Sequence, residues 1–162
     1  LNHVSYASSY MRLPGMLSVR QSMIMHGLLY DTPYKQLKQN VDQTIAEFGI
    51  EHLAHKETST LSAGQTTSVL LARAFLVKPK IVLLDEPTAS LDPDTAQRIR
   101  KLIATQNKQL GISILFTSHN MPEVAELCDR ILVLKQGKII ADDTPETLAS
   151  SVSVAHVSES GN

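Results

Sequence analysis

The sequence contains a single cysteine, Cys128, among its 162 residues. An internal disulfide is therefore impossible, and a reducing, intracellular setting is consistent with this composition. An excess of charge of one sign is also missing, because 15 Lys and Arg residues balance 16 Asp and Glu residues to a net charge of −1. Such a chain gives no reason to expect a general attraction to nucleic acid or to anionic lipid.

Long hydrophobic runs are absent as well. No apolar stretch approaches the roughly 20 residues that a membrane-spanning helix needs, and the apolar segment SVLLARAFLV is interrupted by Arg73. With 43% hydrophobic and 19% charged residues, the composition is typical of one globular domain with a sizeable core. The chain begins at Leu1 on a strand-like segment, HVSYAS, and we expect it to be a fragment that lacks its N-terminal part.

The order of helical and strand-like segments predicts an α/β fold. After a short β-prone segment at 4–7, a helix rich in Met and Leu is predicted over residues 18–30, and a second helix with an apolar stripe over 33–48. The later predicted strands are IVLL (81–84), ISILF (112–116), RILVL (130–134) and KII (138–140). The first two of these are continuously apolar, as expected for strands buried on both faces of a parallel sheet. Strands that alternate with helices predict such a sheet.

Two acidic residues, Asp85 and Glu86, directly follow the apolar segment IVLL. In open α/β sheets, ligands bind beyond the carboxyl ends of the strands. An aspartate there can hold Mg²⁺ against the phosphates of a nucleotide, and an adjacent glutamate can orient and deprotonate a water molecule. Within a strand the two side chains would point to opposite faces, which favours separate roles. A pair of solvated acids in a turn explains these two residues alone equally well.

The segment LSAGQTTSVLLARAF, residues 61–75, places a hydroxyl, a glycine and an amide at the start of a predicted helix. Ser62 suits the N-cap position, and the amides and dipole of the helix behind it favour an anion. Gly64 would allow a close approach of the backbone. A phosphate-binding loop normally has a lysine, and none lies between Leu61 and Lys78. A capped helix without a ligand is the more ordinary interpretation of this segment alone.

Two further residues mark the ends of predicted elements. His119, in the segment FTSHN, follows the predicted strand at 112–116, where a histidine can contact a phosphate or a polarised water. A turn histidine bonded to a nearby carbonyl is the commoner role for a single histidine. Asp92 and Pro93 are expected to begin a helix as its cap and its first residue.

Taken together and in this order, LSAGQ, IVLLDEPTASLD and TSH resemble the nucleotide-binding domain of ABC transporters. LSAGQ is similar to the signature loop of that family, and IVLLDE (81–86) to its Walker B strand with the catalytic glutamate. SLD (90–92) is similar to its D-loop, and His119 to its switch histidine. The flanking segments LARAFLVKPK and CDRILVLKQGKIIADDTPE agree with the family as well.

The resemblance covers roughly residues 1–150 and implies a P-loop NTPase-like parallel sheet with helices, truncated at its N-terminus. An inserted α-helical subdomain would occupy about 14–78, and the catalytic α/β part about 79–150. Residues 151–162 are rich in Ser and Val and are expected to form a loose C-terminal tail.

Members of this family hydrolyse ATP with Mg²⁺, so the resemblance implies both as cofactors. It implies that Asp85 holds Mg²⁺, that Glu86 is the general base for the attack of water, and that His119 contacts the γ-phosphate. The chain is then an ATPase of the transport-coupled ABC type in its full-length form.

In the family, two domains dimerise head to tail and enclose two ATP molecules, so the resemblance implies a second nucleotide-binding domain as partner, of the same or a different chain. The signature loop of each domain covers the ATP of the other. This implies that the partner's γ-phosphate is bound by Ser62, Ala63, Gly64 and Gln65. Asp92 would cross the dimer interface and link the two sites.

Several residues depart from the family pattern. None of the seven glycines begins a GxxxxGK[ST] motif, so we expect this Walker A element upstream and expect the chain alone to be inactive. Ser9 occupies about the place of a family glutamine that reaches Mg²⁺, and a serine is too short for that contact. Ala63 replaces a signature glycine, and its methyl group would narrow the approach to phosphate. The following TTS lacks the basic residues common there.

The resemblance also implies a transmembrane permease subunit as partner and a peripheral position on the cytoplasmic face of the cell membrane. In the family the helical subdomain docks that subunit. Met16, Met23 and Met25 could accommodate a partner helix, although we expect at least some of them to fill the core of the subdomain. The segments SLDPDTAQRIRKLI and SHNMPEVAELCDR most resemble export-type members.

Two other functions remain open at this stage. The first is an ABC-type ATPase without a membrane partner that acts on ribosomes or DNA, although no second cassette or long coiled coil is visible in the sequence. The second is a degenerate module that only completes the ATP site of a partner. The leading interpretation involves no nucleic acid.

Overall fold

The computed structural model describes residues 4–89 and 91–150. The chain divides into two compact units, of which the first ends at Thr117 and the second begins at Ser118. Ser90 of the SLD motif and the predicted tail at 151–162 lie outside the described residues. No described helix is both long enough and apolar enough to cross a membrane.

The first unit contains a parallel sheet of three strands in the order β1 (Val4–Ser8), β2 (Ile81–Asp85) and β3 (Ser113–Thr117). The register places the last residues of the three strands, Ser8, Asp85 and Thr117, side by side at the carboxyl edge. The predicted α/β class with a parallel sheet is confirmed.

Four helices accompany this sheet: α1 (Val19–Gly27), α2 (Tyr34–Glu47), α3 (Ala63–Phe75) and α4 (Pro93–Leu110). Short 3₁₀ turns at Glu51–Leu53 and Thr58–Thr60 lie between α2 and α3. Ser18 caps α1, which ends before the predicted boundary at residue 30. The predicted cap of α4 is confirmed, and Gly111 ends that helix with a φ of 59°, which glycine adopts without steric cost.

The core of the first unit lies between the helices and one face of the sheet. Helix α3 packs against β1 and also contacts α1 and α2. Side chains such as Val82 and Leu84 of β2 and Met23 of α1 are almost fully buried in this core. Burying side chains of this size contributes about 1.5–3 kcal/mol each to folding. Of the three methionines considered above, Met23 therefore fills the core, whereas Met16 and Met25 are exposed.

The expectation that β2 and β3 are buried on both faces is wrong. Alternate residues of β2 are buried, but Ile81 is 40% exposed and Leu115 of β3 is 57% exposed. Both lie on the face of the sheet that also presents Tyr6 of β1, which is exposed as well. A continuous apolar run predicts a strand but does not report whether both of its faces are covered.

The second unit contains α5 (Met121–Leu127) and the strands β4 (Ile131–Lys135) and β5 (Lys138–Asp143). The two strands form an antiparallel hairpin across the predicted turn, where Gln136 and Gly137 both have positive φ angles. Residues 145–150 are helical, as expected from the Thr144–Pro145 start.

Candidate functional site

The first candidate site lies at the carboxyl edge of the three-stranded sheet and is centred on Asp85. The Thr117 hydroxyl donates to Asp85 Oδ1 at 2.7 Å. The hydroxyls of Ser8 and Tyr6 donate to Oδ2 at 3.2 and 3.3 Å. Both carboxylate oxygens therefore accept hydrogen bonds, and residues more than 30 positions away along the chain hold the group in place.

These hydrogen bonds also set the charge of the group. The hydrogen bond from Thr117 lowers the pKa of Asp85 the most, and the hydrogen bonds from Ser8 and Tyr6 lower it further below its ordinary value. Asp85 is then an ionised and only half-buried carboxylate, surrounded by further oxygen atoms. Oxygen donors are the ligands that Mg²⁺ prefers, so the chemistry of this group fits the ion.

The number of acidic side chains also fits a magnesium ion. Among residues 4–89 and 91–150, no three His, Cys, Asp or Glu side chains cluster in a way that could hold a metal. Mg²⁺ commonly keeps several waters and is held by one or two carboxylates together with phosphate oxygens of a substrate. A single carboxylate such as that of Asp85 lies within this range.

Glu86 leaves the strand immediately after Asp85. Strand β2 ends at Asp85, and Glu86 has a φ of +49°, in the left-handed region that residues other than glycine rarely adopt. Its N–H donates to both the carbonyl and the hydroxyl of Thr117, at 3.1 and 3.2 Å. The sequence predicts that the two acids point to opposite faces of one strand. In the structure Glu86 lies instead in a backbone turn after the strand, and this turn separates the two side chains.

The second candidate site is the start of helix α3, where a capping box forms. Ser62 is the N-cap and its hydroxyl accepts from the N–H of Gln65 at 3.3 Å. In return, the Gln65 side-chain oxygen accepts from the N–H of Ser62 at 3.1 Å. The N–H groups of Ala63 and Gly64 belong to the first helical turn, where backbone donors have no partner within the helix. Such a helix start favours an anion.

Gly64 brings this helix start against the start of α4. A Cβ atom added to Gly64 would lie only 2.7 Å from Cγ2 of Thr95. Thr95 in turn belongs to the cap of α4, because its N–H donates to Asp92 at 3.0 Å. Ser62–Gln65 and Asp92, which are far apart in the sequence, thus lie at neighbouring helix starts.

His119 lies in the second compact unit, directly before Asn120, the N-cap of α5. Its side chain is exposed. The contact of His119 with the γ-phosphate of ATP stays a prediction.

Among residues 4–89 and 91–150, the hydroxyls that donate to the Asp85 carboxylate do not include that of Ser9, which lies at the approximate place of the family glutamine. The N–H of Ser9 donates to the Asp85 carbonyl at 3.3 Å, and its hydroxyl is buried without a hydrogen-bond partner in the structure. The preceding residue, Ser8, instead supplies the hydroxyl that Asp85 accepts.

Sequence reasoning missed three residues at the first site: Tyr6, Ser8 and Thr117. Each has a hydroxyl group on a neighbouring strand: Ser8 and Thr117 are the last residues of β1 and β3, and Tyr6 is the middle residue of β1. A prediction of the strand order together with the register would have placed Ser8 and Thr117 on either side of Asp85. Apolar patterns alone contain neither piece of information.

Comparison with sequence families shows two profiles that match the chain. The family profile described as "ABC transporter" matches residues 1–89, which is more than half of the chain. A second profile, described as "AAA domain, putative AbiEii toxin, Type IV TA system", matches residues 57–126.

Several curated relatives are similar to the chain over most of its length. The energy-coupling factor transporter ATP-binding protein EcfA2 of Clostridium perfringens is 36% identical over 129 residues, which cover 80% of this chain and 45% of that protein. The phosphonates import ATP-binding protein PhnC of Escherichia coli is 34% identical, covering 86% of this chain and 56% of PhnC. The lipopolysaccharide export system ATP-binding protein LptB of Haemophilus influenzae is 35% identical, covering 91% and 57%.

The fold has a similar counterpart among solved structures. The structure of cbiO1 from Clostridium perfringens, described as part of the ABC transporter complex cbiONQ, has a TM-score of 0.83 and 32% identity. It covers 94% of this chain, and this chain covers 61% of it. The chain thus spans about half the length of the curated relatives named here, at 45–57% of each.

Proposed function

The chain belongs to the ABC transporter family, and from this membership we propose that it is part of the ATP-binding and ATP-hydrolysing subunit of a membrane transporter. The observation that carries the proposal is the pair of acids at the carboxyl edge of the sheet. Asp85 is ionised and held from both sides, and Glu86 follows it in a constrained left-handed turn. This is a suitable geometry for one acid to hold a metal and the other to activate water.

In this proposal the two acids divide the chemistry of hydrolysis. The Asp85 carboxylate holds Mg²⁺, which when bound neutralises charge on phosphate oxygens. The Glu86 carboxylate orients a water molecule and accepts its proton. His119 contacts the terminal phosphate of ATP.

The start of α3 has a separate role, because it serves the ATP of another subunit. The N–H groups of Ala63 and Gly64 and the hydroxyl of Ser62 bind the terminal phosphate of that ATP, and Gln65 keeps the helix start in place through the capping box. Asp92 crosses the interface beside this loop. The close contact of Gly64 with Thr95 supports this proposal, because it lets the two helix starts act as one surface.

The partners of the proposed subunit are a second nucleotide-binding domain, of the same or a different chain, and a transmembrane permease. Exposed apolar side chains of the helical region support the docking of a permease: Met16 is 93% and Leu29 is 79% exposed, and Met25 and Leu28 are also exposed. The subunit would then lie on the cytoplasmic face of the membrane as a peripheral protein. We keep the division into a helical subdomain at about 14–78 and an α/β part at about 79–150 as part of this proposal.

The expected direction, export, has little support among the relatives. PhnC is named as an import protein and LptB as part of an export system, so the two point in opposite directions. A tungstate uptake protein of Peptoclostridium acidaminophilum, 40% identical over 111 residues, adds a second relative named for uptake. The proposal therefore covers transport without a direction.

The decisive experiment uses the complete gene product that contains this chain. Glu86→Gln keeps the size of the side chain but removes its ability to accept a proton. We expect the rate of ATP hydrolysis to fall by about 10²- to 10⁴-fold, the usual contribution of a general base, while the affinity for ATP stays within about threefold. Hydrolysis is measured by phosphate release, and binding by a fluorescent ATP analogue.

Glu51→Gln is the matched control, because Glu51 is exposed on a 3₁₀ turn and makes no contribution to either candidate site. This variant should hydrolyse ATP at the unmodified rate. If Glu86→Gln keeps full hydrolysis, the role given to Glu86 is wrong. If the unmodified complete protein does not hydrolyse ATP, the proposed function is wrong.

A further inference from the structure

One residue outside the predicted motif roles contacts both acids of the first site. Thr117 is the last residue of β3 and uses its hydroxyl twice. The hydroxyl donates to Asp85 Oδ1 at 2.7 Å and accepts from the N–H of Glu86 at 3.2 Å. The carbonyl of Thr117 accepts from the same N–H at 3.1 Å.

The backbone of Glu86 needs such a constraint. A residue other than glycine in the left-handed region costs of the order of 1–3 kcal/mol when the surrounding structure holds it there. Glu86 has a φ of +49°, and its N–H points at two acceptors of Thr117. On its other side, the Glu86 carbonyl accepts from the N–H of Ala89 at 3.1 Å. These contacts fix the direction in which the Glu86 side chain leaves the sheet.

The carboxylate of Asp85 is constrained in the same place. Ser8 and Tyr6 donate to Oδ2, and among residues 4–89 and 91–150 Thr117 alone donates to Oδ1. Removal of the Thr117 hydroxyl would leave Oδ1 without its donor and would remove one of the two acceptors of the Glu86 N–H. Loss of the Ser8 or Tyr6 hydroxyl would remove a donor to Asp85 but no acceptor of the Glu86 N–H, since the Ser8 hydroxyl accepts from the N–H of Tyr10.

We propose that Thr117 is a positioning residue that sets the carboxylate of Asp85 and the backbone of Glu86 relative to each other. This inference rests on the proposed function, in which these two acids hold the metal and activate the water. Thr117 itself acts through them and does not contact the reacting atoms. Its hydroxyl links the two groups in a single hydrogen-bonded chain, from the Glu86 N–H through Thr117 to Asp85.

The test compares Thr117→Val, which keeps the branched shape and removes the hydroxyl, with Thr117→Ser, which keeps the hydroxyl. In the complete protein, Thr117→Val should lower kcat for ATP hydrolysis by about 10- to 100-fold, the usual effect of losing a group that orients a metal ligand. The KM for ATP should stay within about threefold of the unmodified value, because the substitution leaves in place the residues that are proposed to bind ATP. Thr117→Ser should recover most of the lost kcat.

Two measurements that do not depend on turnover complete the test. Hydrogen exchange at the Glu86 amide should become at least about tenfold faster in Thr117→Val, because one of its acceptors is gone. Affinity for Mn²⁺, measured by electron paramagnetic resonance with a non-hydrolysable ATP analogue present, should fall about 10- to 100-fold. Thr105→Val is the control, because the Thr105 hydroxyl donates only to a carbonyl of its own helix, that of Lys101.

The inference would be overturned if Thr117→Val left the Glu86 amide and the Mn²⁺ affinity at their unmodified values. It would equally be overturned if Thr117→Ser were as impaired as Thr117→Val, because then the hydroxyl would not be the group that matters. Absence of ATP hydrolysis in the unmodified protein, with the amide response present, would refute the proposed function alone.

Discussion

The two candidate sites of this chain are held in place by different means. The site at Asp85 depends on hydroxyls from two other strands, at positions 77, 79 and 32 residues away in the sequence. The site at the start of α3 depends on the capping box between Ser62 and Gln65, which are three residues apart. The first is a product of the tertiary fold, whereas the second is mainly a product of local sequence.

The two sites also differ in which hydrogen bonds keep the aspartate carboxylate ionised. The pKa of Asp85 is lowered mainly by the side-chain hydroxyl of Thr117, and that of Asp92 mainly by the backbone N–H of Thr95 in its own helix. A substitution in a distant strand can therefore alter Asp85, while Asp92 responds to its own helix start.

The largest effect on stability is expected at Gly64, where the start of α3 contacts Thr95 of α4. Gly64→Ala would place a Cβ atom 2.7 Å from Cγ2 of Thr95, a branched side chain with little freedom to move. Such overpacking costs about 1–3 kcal/mol, which outweighs the gain of up to about 1 kcal/mol in helix propensity. Chemical denaturation of the variant measures the difference.

A second substitution tests the cause of that loss. Thr95→Ser removes Cγ2, and the next nearest atoms of Thr95 lie 3.7 Å from the added Cβ, which is an ordinary contact. The double variant should therefore be at least as stable as Thr95→Ser alone, with a gain of up to about 1 kcal/mol from the helix propensity of Ala. Equal destabilisation by Gly64→Ala in both backgrounds would show that Thr95 is not the obstacle.

A smaller loss of stability is expected when the Ser62 N-cap of α3 is removed. Ser62→Ala removes the acceptor for the Gln65 N–H and should lower the free energy of unfolding by about 1 kcal/mol. Because this site is local, the affinity of the Asp85 site for Mn²⁺ should not change. Ser8→Ala is the matched variant at the other site and should lower Mn²⁺ affinity. If Ser62→Ala also lowered it, the two sites would not be independent.

The titration of the two aspartates gives a prediction that concerns charge alone. In Thr117→Val the pKa of Asp85 should rise toward its ordinary value, while the pKa of Asp92 stays depressed. A depressed carboxyl pKa adds stability that is present above about pH 4 and is lost as the pH falls through the lower, folded-state value. Carboxyl carbon resonances followed by NMR between pH 2 and 7 would report both groups. A rise in the pKa of Asp92 together with that of Asp85 would contradict the claim that the two sites are held independently.

The smallest effect on stability is expected at Ala63. Its side chain is exposed at the first position of α3, so Ala63→Gly should change the free energy of unfolding by no more than about 0.5 kcal/mol. The methyl group was expected to narrow the approach to phosphate, so the glycine variant should close more readily on ATP. ATP-dependent dimerisation measured by light scattering should increase. An unchanged dimer affinity would show that the methyl group does not obstruct the approach.

The helix caps could be predicted from the sequence, because each cap depends on residues that are only a few positions apart in the chain. Ser62 and Asp92 were expected as caps, and both caps are confirmed. The strands were also expected, with boundaries shifted by one to a few residues. By contrast, the exposure of Ile81 and Leu115 was not predicted, because an apolar run does not report what covers each face. The turn at Glu86 and the hydroxyls around Asp85 require the register of three strands, which no single segment contains.

The central claim is that the two sites of one chain are halves of two different ATP sites. It is tested most directly by mixing two variants of the complete protein, Glu86→Gln and Ser62→Arg, and measuring ATP hydrolysis. Each variant alone should be inactive. In a mixed dimer one ATP site combines an unmodified Glu86 with an unmodified Ser62, so hydrolysis should return at about a quarter of all sites, by random pairing of a head-to-tail dimer. A mixture of two folded, ATP-binding variants that form mixed dimers, as shown by co-purification of two different affinity tags, and still stay inactive would contradict the claim.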